Sequence, residues 1–275
     1  MQQHRNIEVT GATLECTLCG SGTPVVLLAN AGCSTGYFDD LARALAARGL
    51  QTISINMRGT GESRGSLDGT SLHDLADDVA EVLEALDCGP AHLVGHAFGN
   101  RVARCLAVDR PSLVRSVTLL AAGGLIGPAT PLGANFRNAT EVKMNGSDCV
   151  TVLGARWLSP ASDPKVLAQV ECWPAVLVAH LATSRGVALE EWWGAGTASL
   201  LVIHLMMKSL RRAMATRCAS NSASVSGLST CLVRHTFWCW SSPKPLLAPS
   251  PSLSALAQVL ADCLREIEKS RNAAL

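Results

Sequence analysis

A glycine-flanked turn is the segment of this sequence with the clearest chemical pattern. The stretch "AHLVGHAFGNRVARCLA", residues 91–107, places a strand-like apolar run before Gly95 and a helix-like run after Gly99. Glycines at these two positions let a strand and a helix approach closely, so that the side chain between them points outward as a nucleophile for acyl transfer. The central residue is Ala97, whose methyl group cannot attack a carbonyl carbon. The spacing therefore predicts the turn of a nucleophilic enzyme without its nucleophile.

Three other side chains are candidates for catalysis, but none can be assigned securely. His96 adjoins the central alanine, and a histidine there is expected to pack rather than to react. Cys33 is a candidate thiol nucleophile, although no base for it can be identified. His235 is the histidine nearest the C-terminus and the only candidate for a late general base. We therefore assign no catalytic residue and keep these three as candidates.

The elements around the turn alternate between strands and helices. Residues 1–19 alternate polar and apolar side chains, as a half-buried hairpin does. The runs "PVVLLAN", "QTISINM", "AHLVGH" and "VRSVTLLAAGG" predict buried strands. Between them, "GYFDDLARALAARGL" and "SLHDLADDVAEVLEALDCG" predict helices, the second with Ser71 as N-cap and Asp74 completing a capping box. This order predicts an α/β fold with a doubly wound, mostly parallel sheet.

Composition limits the class of protein. A chain of 275 residues with 48% hydrophobic residues and a net charge of +1 fits one large globular domain with a small insertion. That charge argues against a polyanion-binding surface, so no nucleic-acid partner is expected. No apolar run is long enough to span a bilayer. Eleven cysteines without a secretory signal predict reduced thiols and a cytoplasmic location. Cys16 and Cys19 lack a second pair at zinc spacing, so neither a metal nor a cofactor is expected.

Together with the turn at 95–99, three further segments resemble the α/β-hydrolase superfamily, of the esterase and lipase type. "VVLLANAG" lies where that family carries its oxyanion loop, "INMRGTGESRG" is similar to its D-x-R-G-x-G-x-S turn, and "DLADDVAEVLEAL" is similar to the helix before its catalytic strand. The resemblance covers roughly residues 20–200. A nucleotide-binding Rossmann domain is the alternative, but "GTGESRG" does not match G-x-G-x-x-G.

The resemblance implies site residues that this sequence fills only in part. Backbone amides of Ala31 and Phe98 would bind an oxyanion, with Asn30 in the same loop where the family usually has glycine. The strand "SLLVIH" is followed by no carboxylate, and the base position falls on His235. Because the positions of nucleophile, acid and base are all unfilled or uncertain, the implied hydrolysis of small esters or amides is expected to be weak or absent.

The C-terminal third differs in composition from the rest of the chain. We predict three parts: 1–125 as the first part of an α/β core, 126–190 as a helical cap insertion, and 191–275 as an atypical part, disordered or misfolded. No Asp or Glu occurs between Glu191 and Asp262. One hypothesis is a single-base shift of the reading frame near His204, because the codons of the Met-Met-Lys run there encode Asp-Glu when read one base earlier. Sequencing the gene tests it, and an alternative frame without these acidic codons contradicts it.

These observations leave three functions open. The first is a weak or inactive hydrolase acting on a small-molecule substrate. The second is a non-catalytic protein that binds a small ligand, and the third is a decayed gene product. The sequence does not indicate an oligomeric state.

Overall fold

The computed structural model describes residues 2–122, 170–193, 195–196, 198–205, 222–225, 228–233, 256, 258–260 and 262. Within them, ten strands form one mixed sheet with helices packed on it. The strands are β1 (Gln2–Val9), β2 (Ala12–Cys19), β3 (Thr23–Leu28), β4 (Leu50–Ile55), β5 (Arg64–Gly65), β6 (Ala91–His96), β7 (Val114–Leu120), β8 (Ser199–Leu205), β9 (Ser222–Val225) and β10 (Leu228–Val233). The α-helices are α1 (Asp39–Ala46), α2 (Leu72–Ala85), α3 (Gly99–Asp109) and α4 (Pro174–Ala182).

The centre of the sheet is parallel and its flanks are antiparallel. The strand order is β1-β2-β4-β3-β6-β7-β8-β10-β9, with β5 paired to β2. The strands from β4 to β8 in this order run parallel, as expected for buried apolar runs connected by helices. The predicted α/β class and mostly parallel sheet are therefore confirmed.

The order of the strands also indicates where a ligand site is expected. From β3 the chain passes to β4 on one side and then to β6 on the other, so the carboxyl ends of β3 and β6 flank a point where the strand order reverses. Ligands of open α/β sheets bind in the crevice at such a point. The turn around Ala97 follows β6 directly.

Local signals in the first half agree with the predicted elements. Helix α2 begins with a complete capping box, in which Ser71 Oγ accepts from the Asp74 N–H at 3.2 Å and Asp74 Oδ2 accepts from the Ser71 N–H at 2.7 Å. The helix predicted after residue 35 begins later than expected. A 3-10 turn over Thr35–Phe38 precedes α1, and Phe38 at the end of this turn is buried in the core.

Cys16 and Cys19 lie on the same strand, β2, three residues apart. Side chains at that separation point to opposite faces of a sheet, so the two sulfur atoms do not converge on a common ligand. Both side chains are buried and pack on the sheet.

The predicted domain limits remain predictions. Most of the predicted cap at 126–190, and His235, lie outside the described residues, although α4 belongs to the last part of that segment. Strand β8 corresponds to the predicted "SLLVIH" strand and pairs with β7. Beyond it the sheet continues antiparallel through β10 and β9. In the described part of the chain, no helix is both long enough and apolar enough to cross a membrane.

Candidate active site

The turn between β6 and α3, which we call the elbow (His96–Gly99), holds Ala97 in a left-handed conformation with φ +49°. An L-residue in this region costs about 1–2 kcal/mol, because its Cβ approaches the following carbonyl oxygen. The surrounding hydrogen bonds fix it: the Ala97 N–H donates to Leu120 O at 3.0 Å, and Ala97 O accepts from the Asn100 N–H at 3.2 Å. The elbow is thus a strained corner that presents a methyl group.

The two glycines of the elbow region are required by close backbone contacts. A Cβ added to Gly95 would lie 2.5 Å from the carbonyl carbon of Gly99. A Cβ added to Gly99 would overlap Leu28 O and lie 2.7 Å from Ala29 O. Because all of these atoms belong to the backbone, strand β6, helix α3 and the end of β3 can approach this closely only with glycine at both positions.

The amide predicted to bind an oxyanion already has a partner. The Phe98 N–H donates to Asn30 Oδ1 at 3.3 Å, and the Asn30 N–H donates to Tyr37 Oη at 2.8 Å. Ala31 follows in the same buried loop. An oxyanion could therefore reach the Phe98 N–H only by displacing the Asn30 side chain. No pattern in the sequence indicates this contact, because it depends on the side chain of a loop residue.

His96 takes part in packing beside the elbow. Its Nδ1 lies at hydrogen-bond distance, 2.9 Å, from Tyr37 Oη, and that oxygen also accepts from the Asn30 N–H. Burial lowers the pKa of His96 to about 4, so the ring is neutral at physiological pH. The role of His96 stays a prediction, and its position is that of a neutral ring packed beside Tyr37 and Phe38.

Cys33 lies away from the elbow methyl. It is 5% exposed, and its Sγ lies 3.7 Å from Cys172 Sγ, across an isolated β-bridge between the two residues. Neither cysteine lines the cavity at the elbow. Among the described residues, the structure therefore does not bring Cys33 to the position of a nucleophile.

A cavity of about 230 Å³ opens at the elbow, and the Ala97 methyl group forms part of its wall. Its lining residues are Asn30, Ala97, Phe98, Asn100, Arg101, Arg104, Ala121, Ala122, Leu181, Trp192 and Trp193. Within the described part of the chain, this lining includes no histidine, cysteine, serine or carboxylate. The wall can hold a small molecule by shape, arginine charge and tryptophan surface, and none of its described side chains is a nucleophile of the usual kinds.

A cluster that the sequence did not predict joins α2 to α3. His73 Nδ1 lies 2.7 Å from Asp109 Oδ2 and 3.4 Å from Cys105 Sγ. The Nδ1 atom that faces the thiol is shared with the Asp109 carboxylate, which also lies 3.4 Å from Cys105 Sγ, and Nε2 faces a second carboxylate, Glu191 Oε2, at 3.3 Å. Burial, and then the Asp109 charge, raise the pKa of the Cys105 thiol, so it stays protonated. The cluster is a helix–helix contact rather than a nucleophile site.

His180 connects the loop after β3, which contains Gly32, to a buried ion pair. Its Nδ1 accepts from the Gly32 N–H at 3.1 Å, its Nε2 donates to Arg58 O at 2.9 Å, and its ring stacks on Phe98 at 5.5 Å. Arg58 in turn donates to both carboxylate oxygens of Asp78, at 2.7 and 2.8 Å. Burial lowers the pKa of His180 to about 4, so it acts as a neutral link. The turn that carries Arg58 thus positions the loop beside the elbow.

Comparisons with known proteins find a matching family model and similar sequences for the first half of the chain. A family model described as "alpha/beta hydrolase fold" matches residues 24–143. A protein of Azorhizobium caulinodans provisionally named carbamate hydrolase RutD is 38% identical over 109 residues, which are 40% of this chain and 41% of that protein. A 2-(acetamidomethylene)succinate hydrolase of Mesorhizobium japonicum is 33% identical over 116 residues, 42% of this chain and 41% of that protein. The chain therefore spans about two fifths of the length of these relatives.

Two epoxide hydrolases are among the solved structures whose backbone is similar to part of this chain. One, from an endophytic Streptomyces, is 29% identical, with coverage of 44% of this chain and 37% of that chain and a TM-score of 0.42. The other, VrEH1 from Vigna radiata, is 22% identical, with coverage of 49% and 44% and a TM-score of 0.43.

Proposed function

Because this chain belongs to the α/β-hydrolase superfamily, matched over residues 24–143, we propose that it binds a small ester- or amide-type molecule at the elbow and hydrolyses it weakly or not at all. The observation that carries the proposal is the Ala97 methyl group, which forms the cavity wall at the corner where a nucleophile would project. A ligand there meets no side chain able to form a covalent acyl intermediate, within the described lining.

Two further features support this ligand class. The named relatives include hydrolases of a carbamate and of an acetamido compound, both of which contain a carbonyl bonded to nitrogen. The cavity is small and partly apolar, as a site for a compact organic molecule is. A cytoplasmic location is part of the proposal, because a sequence with eleven cysteines suits a reducing compartment.

Turnover of p-nitrophenyl acetate tests the catalytic part of the proposal. Wild type, Cys33→Ala and Ala97→Ser are expected to hydrolyse the ester at similar low rates. Cys33 lies outside the cavity, and a serine at position 97 would face a Phe98 amide that already donates to Asn30.

Three results of this assay would contradict the proposal. A wild-type kcat/KM at or above about 10⁴ M⁻¹s⁻¹ would identify an ordinary enzyme. Loss of a measurable rate in Cys33→Ala would identify a thiol nucleophile. A gain of about 100-fold or more in Ala97→Ser would show that a working base is in place.

A further inference from the structure

Two arginines of α3 line the cavity, and no acidic residue of the described chain lines it with them. Arg101 and Arg104 are three residues apart, so they lie on the same face of the helix. The buried Arg104 Nε has no hydrogen-bond partner among the described residues. The cavity wall therefore carries two guanidinium groups without a counter-charge from its own described lining.

This arrangement of the two arginines is electrostatically unfavourable within the described part of the chain. Arg104 is 5% exposed, and a buried cation that finds no counter-charge among the described residues loses hydration without an ion pair to offset it. Burial, and then the charge of Arg101, lower the pKa of Arg104 to about 10, which still leaves it charged at neutral pH. Like charges three residues apart on a helix also repel. An anion in the cavity would relieve both effects.

Two tryptophans orient the guanidinium groups. The Arg104 Cζ lies 4.3 Å from the ring centroid of Trp193, and the Arg101 Cζ lies 5.4 Å from that of Trp192. Stacking covers a face of a guanidinium group and leaves its in-plane N–H groups available. In-plane N–H groups match the two oxygens of a carboxylate, which can accept two parallel hydrogen bonds.

Asn30 adds a third donor to the same cavity. Its Oδ1 accepts from the Phe98 N–H, which assigns the amide orientation and leaves Nδ2 as a free donor. That nitrogen is buried and has no partner among the described residues. Two buried donors without a partner among the described residues, Arg104 Nε and Asn30 Nδ2, therefore belong to residues that line a cavity of about 230 Å³ together with Arg101.

We propose that the ligand is a small organic anion whose carboxylate is bound by Arg104 and Arg101. This inference rests on the proposed function and names the chemical class of its ligand. Guanidinium groups bind both carboxylates and phosphates. The small volume of the cavity and its tryptophan surface favour a short carboxylic acid with a compact organic part.

Isothermal titration calorimetry of the full chain tests the inference with three probes. N-acetylglycine carries an amide and a carboxylate, N-acetylglycinamide is its neutral counterpart, and inorganic phosphate is the alternative anion. We expect wild type to bind N-acetylglycine at least about tenfold more tightly than either of the others, because charge-assisted hydrogen bonds are lost with the neutral probe. Arg104→Met is expected to weaken N-acetylglycine binding by at least about tenfold.

The matched control is Arg110→Met, which changes an exposed arginine at the end of the same helix and should leave binding unchanged. Arg101→Met is the second variant, used if Arg104→Met does not fold. Equal affinity for the acid and its amide, or unchanged binding in the folded variant, overturns the inference and leaves the proposed function standing. Preference for phosphate overturns the carboxylate assignment. Binding of no probe overturns both the inference and the proposed function.

Discussion

Asp78→Ala is expected to lower the free energy of unfolding by about 3–5 kcal/mol, because it leaves the Arg58 guanidinium buried without its counter-charge. The side chains of Asp78 and Arg58 are 5% and 10% exposed, and two hydrogen bonds join them. Arg58 also donates to Thr10 O at 2.8 Å, so the loss extends to the end of the first hairpin. Urea denaturation followed by circular dichroism measures the change.

The same substitution should also disturb the site. Arg58 O accepts from His180, which bonds to Gly32 and stacks on Phe98, so movement of the Arg58 turn reaches the loop after β3. Asp77→Ala is the matched control, because Asp77 precedes Asp78 on α2 and pairs with the exposed Arg110. Removing a surface pair costs about 1 kcal/mol or less. Similar losses in the two variants would show that the buried pair does not stabilise the fold as described.

Gly99→Ala is expected to lower the free energy of unfolding by about 3 kcal/mol, or to prevent folding, because the added methyl group would overlap backbone atoms. The nearest atoms are Leu28 O and Ala29 O, which belong to the end of β3 and cannot rotate away. Thermal melting of both proteins provides the measurement.

Gly49→Ala is the control for this second change. Gly49 has φ +78° and no atom within 4 Å of an added Cβ, so alanine there meets a conformational cost without a steric one. Such a cost is about 1–2 kcal/mol. A Gly99→Ala protein as stable as wild type would contradict the close approach of strand and helix at the elbow.

The sequence predicted the central elements because their signals are local. Each central strand is a short apolar run, and the Ser71 capping box is set by two residues three positions apart. The need for glycine on both sides of the elbow could also be predicted, since a close backbone approach excludes any side chain at Gly95 and Gly99.

The site contacts that the sequence did not predict connect residues far apart in the chain. The Gly32–His180 bond spans 148 positions, and the contact between Asn30 and Phe98 spans 68. Neither residue type nor spacing indicates such pairs, because tertiary packing alone brings them together. The contact between Arg104 and Trp193 has the same origin. The positive charge of the cavity wall could therefore be recognised only from the structure.

Peptide mass mapping after incubation with a fluorophosphonate, or with p-nitrophenyl acetate, tests the central claim most directly. The claim is that the elbow offers a ligand no side chain for covalent attack, since Ala97 occupies the corner. We predict that the peptide covering residues 91–107 and the other cavity-lining peptides keep their unmodified masses. A stoichiometric phosphonyl or acyl adduct on any residue lining the cavity would contradict the account.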